Sequence, residues 1–88
     1  MNDKTQKIIF FTTFGCHLCE QAEEMIQHIN SHFTAKKNYD FIKFDIIDDE
    51  EIMQQYRTTI PVLKNEKTQQ ELKWPFDFER LCDWLDIE

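Results

Sequence analysis

Cys16-His17-Leu18-Cys19 is the stretch of this chain whose residue types and spacing can do chemistry. Two thiols three positions apart can close and reopen a disulfide, or supply part of a metal site. Their setting favours the first. Ile8-Ile9-Phe10-Phe11, just upstream, is a continuous apolar run and predicts a strand buried on both faces. Downstream, Leu18, Ala22, Met25, Ile26, Ile29 and Phe33 recur at the spacing of one helix face. Gly15, the only glycine, stands at the joint. Cys16 therefore falls near the first turn of a helix and Cys19 one turn further in. Unpaired backbone N–H groups and the helix dipole favour negative charge there, which stabilises a thiolate at Cys16, and the thiolate is the nucleophile. A zinc or iron–sulfur site needs about four ligands, and here one pair is joined only by the distant Cys82. Such a site could arise only between two chains.

Composition narrows the function classes. Eighty-eight residues suit one domain, expected over 1–88, and 41% hydrophobic content with eight phenylalanines is enough for one core. A net charge of −7 argues against binding nucleic acid or an anionic membrane through bulk electrostatics. No apolar run reaches membrane-spanning length, and residues 1–7 lack a signal-peptide core. The expectation is a cytoplasmic protein, a monomer with no nucleic-acid or membrane partner. An odd count of three cysteines does not suggest a disulfide framework, and in a reducing compartment a Cys-x-x-Cys pair is more often catalytic or metal-binding.

The elements that must position the pair follow in order. A first strand is expected at 7–13 and a first helix at 17–35, ending in Lys36-Lys37-Asn38. Aromatic and β-branched residues predict a second strand at 39–46. Asp48, with Glu51 three residues on, has the pattern of a capping box opening a second helix; a solvated helix start outweighs a cation site for this acidic run. Pro61 in Ile60-Pro61-Val62-Leu63 belongs at the first residue of a strand, since it cannot donate to a sheet ladder. Asn65 to Thr68 reads as a turn and Gln69 to Lys73 as an antiparallel partner strand. Asp77 is placed to cap a last helix with Phe78, Leu81, Cys82 and Leu85 on one face. The fold class is α/β: a βαβ unit, a helix, a ββ hairpin and a C-terminal helix. A four-stranded mixed sheet with helices on both faces satisfies this order.

The cysteine pair at the first helix, Thr59-Ile60-Pro61 before the third strand and the element order together resemble the thioredoxin fold. The length, the stretch Thr12 to Ala22 and Trp74-Pro75-Phe76-Asp77 are similar to its glutaredoxin-like branch, over nearly the whole chain. The resemblance implies that Cys16 attacks and Cys19 resolves. It also implies a cis Pro61 packed beside the pair, with the Thr59-Ile60 backbone pairing to an extended substrate. The expected function is thiol–disulfide exchange with a protein disulfide or small thiol, recharged by a dithiol reductant, with no cofactor beyond the redox pair. The alternative is a non-catalytic module holding a metal or iron–sulfur cluster between two subunits.

The remaining candidates divide. His17 either favours the thiolate when protonated or simply faces solvent. Phe14 either shields the pair or meets a partner, against ordinary packing in its loop. His28 and His32 have metal-like i, i+4 spacing but no third ligand nearby and are expected in solvent. Cys82, Trp74 and Trp84 are expected to pack. The chain also departs from glutathione-using glutaredoxins. It has His17-Leu18 where they carry Pro-Tyr, Thr13 where they often carry a basic residue, and Leu72-Lys73-Trp74-Pro75 where they carry Gly-Gly and Asp. These departures put glutathione as substrate in doubt.

Overall fold

The computed structural model describes residues 5–32 and 38–85. In chain order these form β1 (Thr5–Thr12), α1 (His17–His32), β2 (Asn38–Asp45), a 3-10 turn (Ile46–Asp48), α2 (Glu50–Tyr56), β3 (Val62–Asn65), β4 (Glu71–Lys73) and α3 (Phe78–Leu85). The sheet runs β2-β1-β3-β4. β1 is parallel to β2, with Thr12 opposite Asp45, and antiparallel to β3; β4 closes the hairpin antiparallel to β3. This is the expected four-stranded mixed sheet.

Alternation along β1 builds two cores from one apolar run. Ile8 and Phe10 point to one face, where they meet Cys19, Ala22, Ile26 and Ile29 of α1 and Leu81 and Leu85 of α3. Phe11 points to the other, with Val62, Ile46 and Tyr56, and Ile9, Ile52 and Met53 pack around them. Phe11 stacks on Tyr56 with ring centres 4.3 Å apart and meets Phe44 edge-on at 5.9 Å. Helices therefore cover both faces of the sheet, and β1 is the strand between them. The Tyr39 hydroxyl donates to the Leu85 carbonyl, tying β2 to the end of α3.

Four local expectations need correction or bounding. The buried stripe of α1 runs through Cys19 rather than Leu18, which is 43% exposed. Cys19, Ala22, Ile26 and Ile29 fall at i, i+3, i+7 and i+10, and Leu18 lies about 100° away around the helix. Helical residues expected at 33–35, Phe33 among them, lie outside the described residues. The capping box assigned to Asp48 and Glu51 does not form: the cap lies one residue later, and the residue three beyond it is Ile52. Asp49 is the N-cap of α2, its side chain accepting from the Ile52 N–H, while Asp45 caps the 3-10 turn that ends at Asp48. That turn occupies the link expected to join strand directly to helix. Finally, β4 starts at Glu71 instead of Gln69, because Gln69 adopts φ 67°, outside the strand region. The Asn65 side chain accepts from the N–H groups of Lys67 and Thr68, which turns the chain at the predicted place.

Pro61 stands immediately before β3, with its carbonyl accepting the Trp74 N–H at 3.2 Å. The Ile60–Pro61 bond is cis, as the resemblance implied, and Trp74–Pro75 is also cis. Asp77 caps α3 as expected, accepting the Arg80 N–H at 2.8 Å. On α3, Leu81 and Leu85 are buried and Phe78 and Cys82 pack against the same core. Trp74 and Trp84 pack there too.

Candidate functional site

The site is made by the way β1 hands over to α1. Gly15 takes φ +83°, a conformation other L-residues adopt at a cost, although a Cβ there would meet nothing within 4 Å. The chain can then turn so that Cys16 becomes the N-cap of α1. Its carbonyl accepts the Glu20 N–H at 3.1 Å, and its Sγ accepts the Cys19 N–H at 3.2 Å. Sulfur here does what the oxygen of Ser, Thr or Asp does at an ordinary N-cap. A thiolate at Cys16 therefore sits at the positive end of a sixteen-residue helix and receives a hydrogen bond from its first turn.

Cys16 and Cys19 are joined as a disulfide, with Cα atoms 5.2 Å apart, within the ordinary span of that bond. The two sulfurs differ in access. Cys19 is 3% exposed and belongs to the core, whereas Cys16 is partly exposed and lines an open cavity of about 440 Å³. An incoming reactant meets Cys16 first.

The cavity is bounded by the β1–α1 turn, the first two turns of α1 and the end of β2. Thr13 Oγ1 donates to Asp45 Oδ1 at 3.0 Å, and the same oxygen accepts the Ile47 N–H at 3.1 Å. Thr13 lies just past the first strand, which ends at Thr12 and not at the expected 13. Lys43 Nζ reaches both oxygens of Glu23 at 3.2 Å. Among the described residues four carboxylates (Glu20, Glu23, Asp45 and Asp48) share the walls with one ammonium.

Of the residues singled out in the sequence, Phe14, Cys16 and Cys19 line this cavity. Phe14 is 97% exposed, which removes the loop-packing reading. His17 is also exposed, with Nδ1 3.7 Å from Glu20 Oε1. Thr59, Ile60 and Pro61 lie outside the cavity wall. Thr59 Oγ1 donates to the Tyr56 carbonyl, Ile60 packs against both cores, and Pro61 is buried. His28 is exposed, its ring meeting Phe78 edge-on at 5.1 Å; the side chain of His32 lies outside what is described. Cys82 is half-buried, and burial, followed by the Asp83 charge, pushes its thiol up. Among the described residues no three His, Cys, Asp or Glu side chains are grouped to hold a metal ion. No described helix is long and apolar enough to cross a membrane.

The acidic wall was not singled out in the sequence, where its members are scattered from Glu20 to Asp48. One signal could have found it. A right-handed crossover between parallel strands sets their C-terminal ends side by side, which is where open α/β sheets bind ligands. Residues following β2 therefore had to face those following β1.

Comparison with known proteins agrees with this architecture. A structure of target protein XcR50 from X. campestris superposes with a TM-score of 0.73 at 33% identity, covering 90% of this chain and 95% of that one. Protein Ne2328 from Nitrosomonas europaea, at 22% identity, superposes with a TM-score of 0.70 over 96% of this chain and 98% of its own, and shows the shared fold. No curated protein matches the chain. The family model described as "Glutaredoxin-like domain (DUF836)" matches residues 7–86. With a Cys-x-x-Cys pair at the helix start the role is a thiol-redox one, and the chain belongs to the glutaredoxin-like family.

Proposed function

We propose that the protein is a thiol–disulfide oxidoreductase in which Cys16 is the attacking sulfur and Cys19 the resolving one. The observation that carries this is the unequal placement of the pair. Cys16 caps α1, accepts a helix N–H and faces a cavity, while Cys19 is buried one turn below it.

In the reduced protein, the Cys16 thiolate attacks one sulfur of a substrate disulfide. A Cys16–substrate bond forms, the substrate S–S bond breaks, and the far sulfur leaves as a thiolate with the electron pair. Cys19 then loses its proton to solvent and attacks Cys16 Sγ, closing the internal disulfide and expelling the second substrate thiolate. The protein dithiol gives up two electrons and two protons, and the substrate disulfide becomes two thiols. A dithiol reductant reverses the sequence at Cys16. Phe14 forms the lip that a partner meets, His17 flanks the nucleophile, and the backbone of Thr59 and Ile60, whose N–H groups donate to the Tyr56 carbonyl, offers its carbonyls to an extended partner segment. No cofactor beyond the dithiol enters these steps.

The test separates the two sulfurs. Cys16→Ser is expected to abolish exchange with a model disulfide, and Cys19→Ser to accumulate a mixed disulfide detectable by mass, because the resolving step is missing. If Cys16→Ser retains exchange and Cys19→Ser does not, the roles are reversed. Loss of neither would remove the function.

A further inference from the structure

The cavity beside Cys16 holds more charge than thiol exchange needs. Among the described residues its walls carry Glu20, Glu23, Asp45 and Asp48 against Lys43 alone, and Lys43 is already engaged by both oxygens of Glu23. Thr12 adds a hydroxyl. It is 5% exposed, lines the cavity, and makes no side-chain hydrogen bond with any other described residue. A Thr hydroxyl can accept as well as donate and carboxylates only accept, so the group they can jointly receive is a donor carrying positive charge. At about 440 Å³ the space suits a small molecule or one long side chain beside the reacting sulfur.

We propose that this cavity makes the redox pair selective for thiols and disulfides bearing an ammonium or guanidinium group close to the sulfur. The inference rests on the exchange reading above and names its substrate class. An incoming cation is attracted to the wall and delivers its sulfur to Cys16. An anionic partner is repelled from the same approach. Charged walls around a concave site concentrate the field, so the effect falls on the rate of encounter and weakens with salt.

Three small disulfides of matched size test it: cystamine, bis(2-hydroxyethyl) disulfide and dithiodiglycolate, which are cationic, neutral and anionic. Their second-order rates of oxidising the reduced protein are each divided by the rate of a neutral dithiol with the same disulfide, which removes differences in leaving group. The expected normalised ratio of cationic to anionic is at least about tenfold at low salt, shrinking as the Debye length falls from ~30 Å at about 0.01 M to ~3 Å at about 1 M.

The double variant Glu20→Gln with Asp48→Asn should lower the ratio several-fold. These two are chosen because Asp45 caps the 3-10 turn and Glu23 holds Lys43. Glu66→Gln with Glu79→Gln removes the same charge away from the cavity and should leave the ratio in place. Equal falls in both double variants would assign the preference to the chain's net −7 and overturn the cavity's role. Brisk reaction with the neutral disulfide but no charge preference would overturn this inference alone. No reaction with any of the three would overturn the exchange function as well. A pair of cysteine peptides flanked by lysine or by glutamate identifies the source. Discrimination sharper than cystamine's that also depends on Phe14 assigns the cation to a polypeptide, and discrimination no sharper assigns it to a small amine disulfide.

Discussion

At the residue scale, Gly15 decides where the reactive sulfur stands. Its φ of +83° is what lets the chain leave β1 and enter α1 with Cys16 at the cap, and the space around it is open. Gly15→Ala therefore meets no clash but must hold an L-residue in the left-handed region, at a cost of about 1–2 kcal/mol. Urea denaturation should show that loss for Ala and a smaller one for Asn, which tolerates this conformation. Equal stability of all three would mean the turn relaxes and Cys16 is held by other contacts. The position of the thiols was legible in the sequence because one local feature, the junction of an apolar run with a helical period, determines it. The carboxylates around them were not, because they come from three elements and meet only when β2 is laid beside β1. Phe14 shows the same limit. A loop aromatic is expected to pack, and here nothing covers it within the described residues.

At the element scale, the helix on the second face is locked by Tyr56. Its ring stacks on Phe11 and its hydroxyl donates to Glu71, joining α2 to β1 and β4. Burial, then the hydrogen bond and negative charge of Glu71, push the phenol up to about 12 from 10.0. The folded state thus favours the neutral phenol. This contribution is full below pH 10.0, the unfolded value, and is lost as pH rises through about 12. Two units correspond to a change on the order of 2–3 kcal/mol. Tyr56→Phe lacks the titration, so the wild-type advantage in stability should narrow across that window. A constant difference between the two at every pH would show that Tyr56 ionises as freely folded as unfolded. Elements of this kind were read well where one face repeats, as in α3 and, apart from the exposed Leu18, the described part of α1. They were read one residue off where several acids compete for one cap, since Asp45, Asp48 and Asp49 all have the right chemistry and only the chain path selects Asp49 for α2.

At the scale of the whole molecule, charge bears on which reductant can recharge the pair. The mixed sheet followed from element order alone, because a βαβ crossover and a hairpin leave few ways to share one central strand. Electrostatic shape did not follow, for a net charge of −7 does not say where the acids gather. Glutathione is an anionic tripeptide whose two carboxylates need donors or cations near the reactive thiol. Here the Thr13 hydroxyl is spent on Asp45, and Lys43, the one cation on the cavity wall among the described residues, is held by Glu23. Each missing charge-assisted hydrogen bond is worth about 1.5–3 kcal/mol. Two of them amount to roughly two to four powers of ten in binding, at about 1.4 kcal/mol per tenfold. Turnover with a small mixed disulfide should therefore be poor when glutathione is the reductant and better with a neutral dithiol, compared at equal thiolate concentration. Saturation at sub-millimolar glutathione, lost in Cys16→Ser, would mean that donors outside the acidic cavity anchor the tripeptide instead, and not the Thr59 and Ile60 N–H groups, which the Tyr56 carbonyl already holds at 2.9 and 3.0 Å.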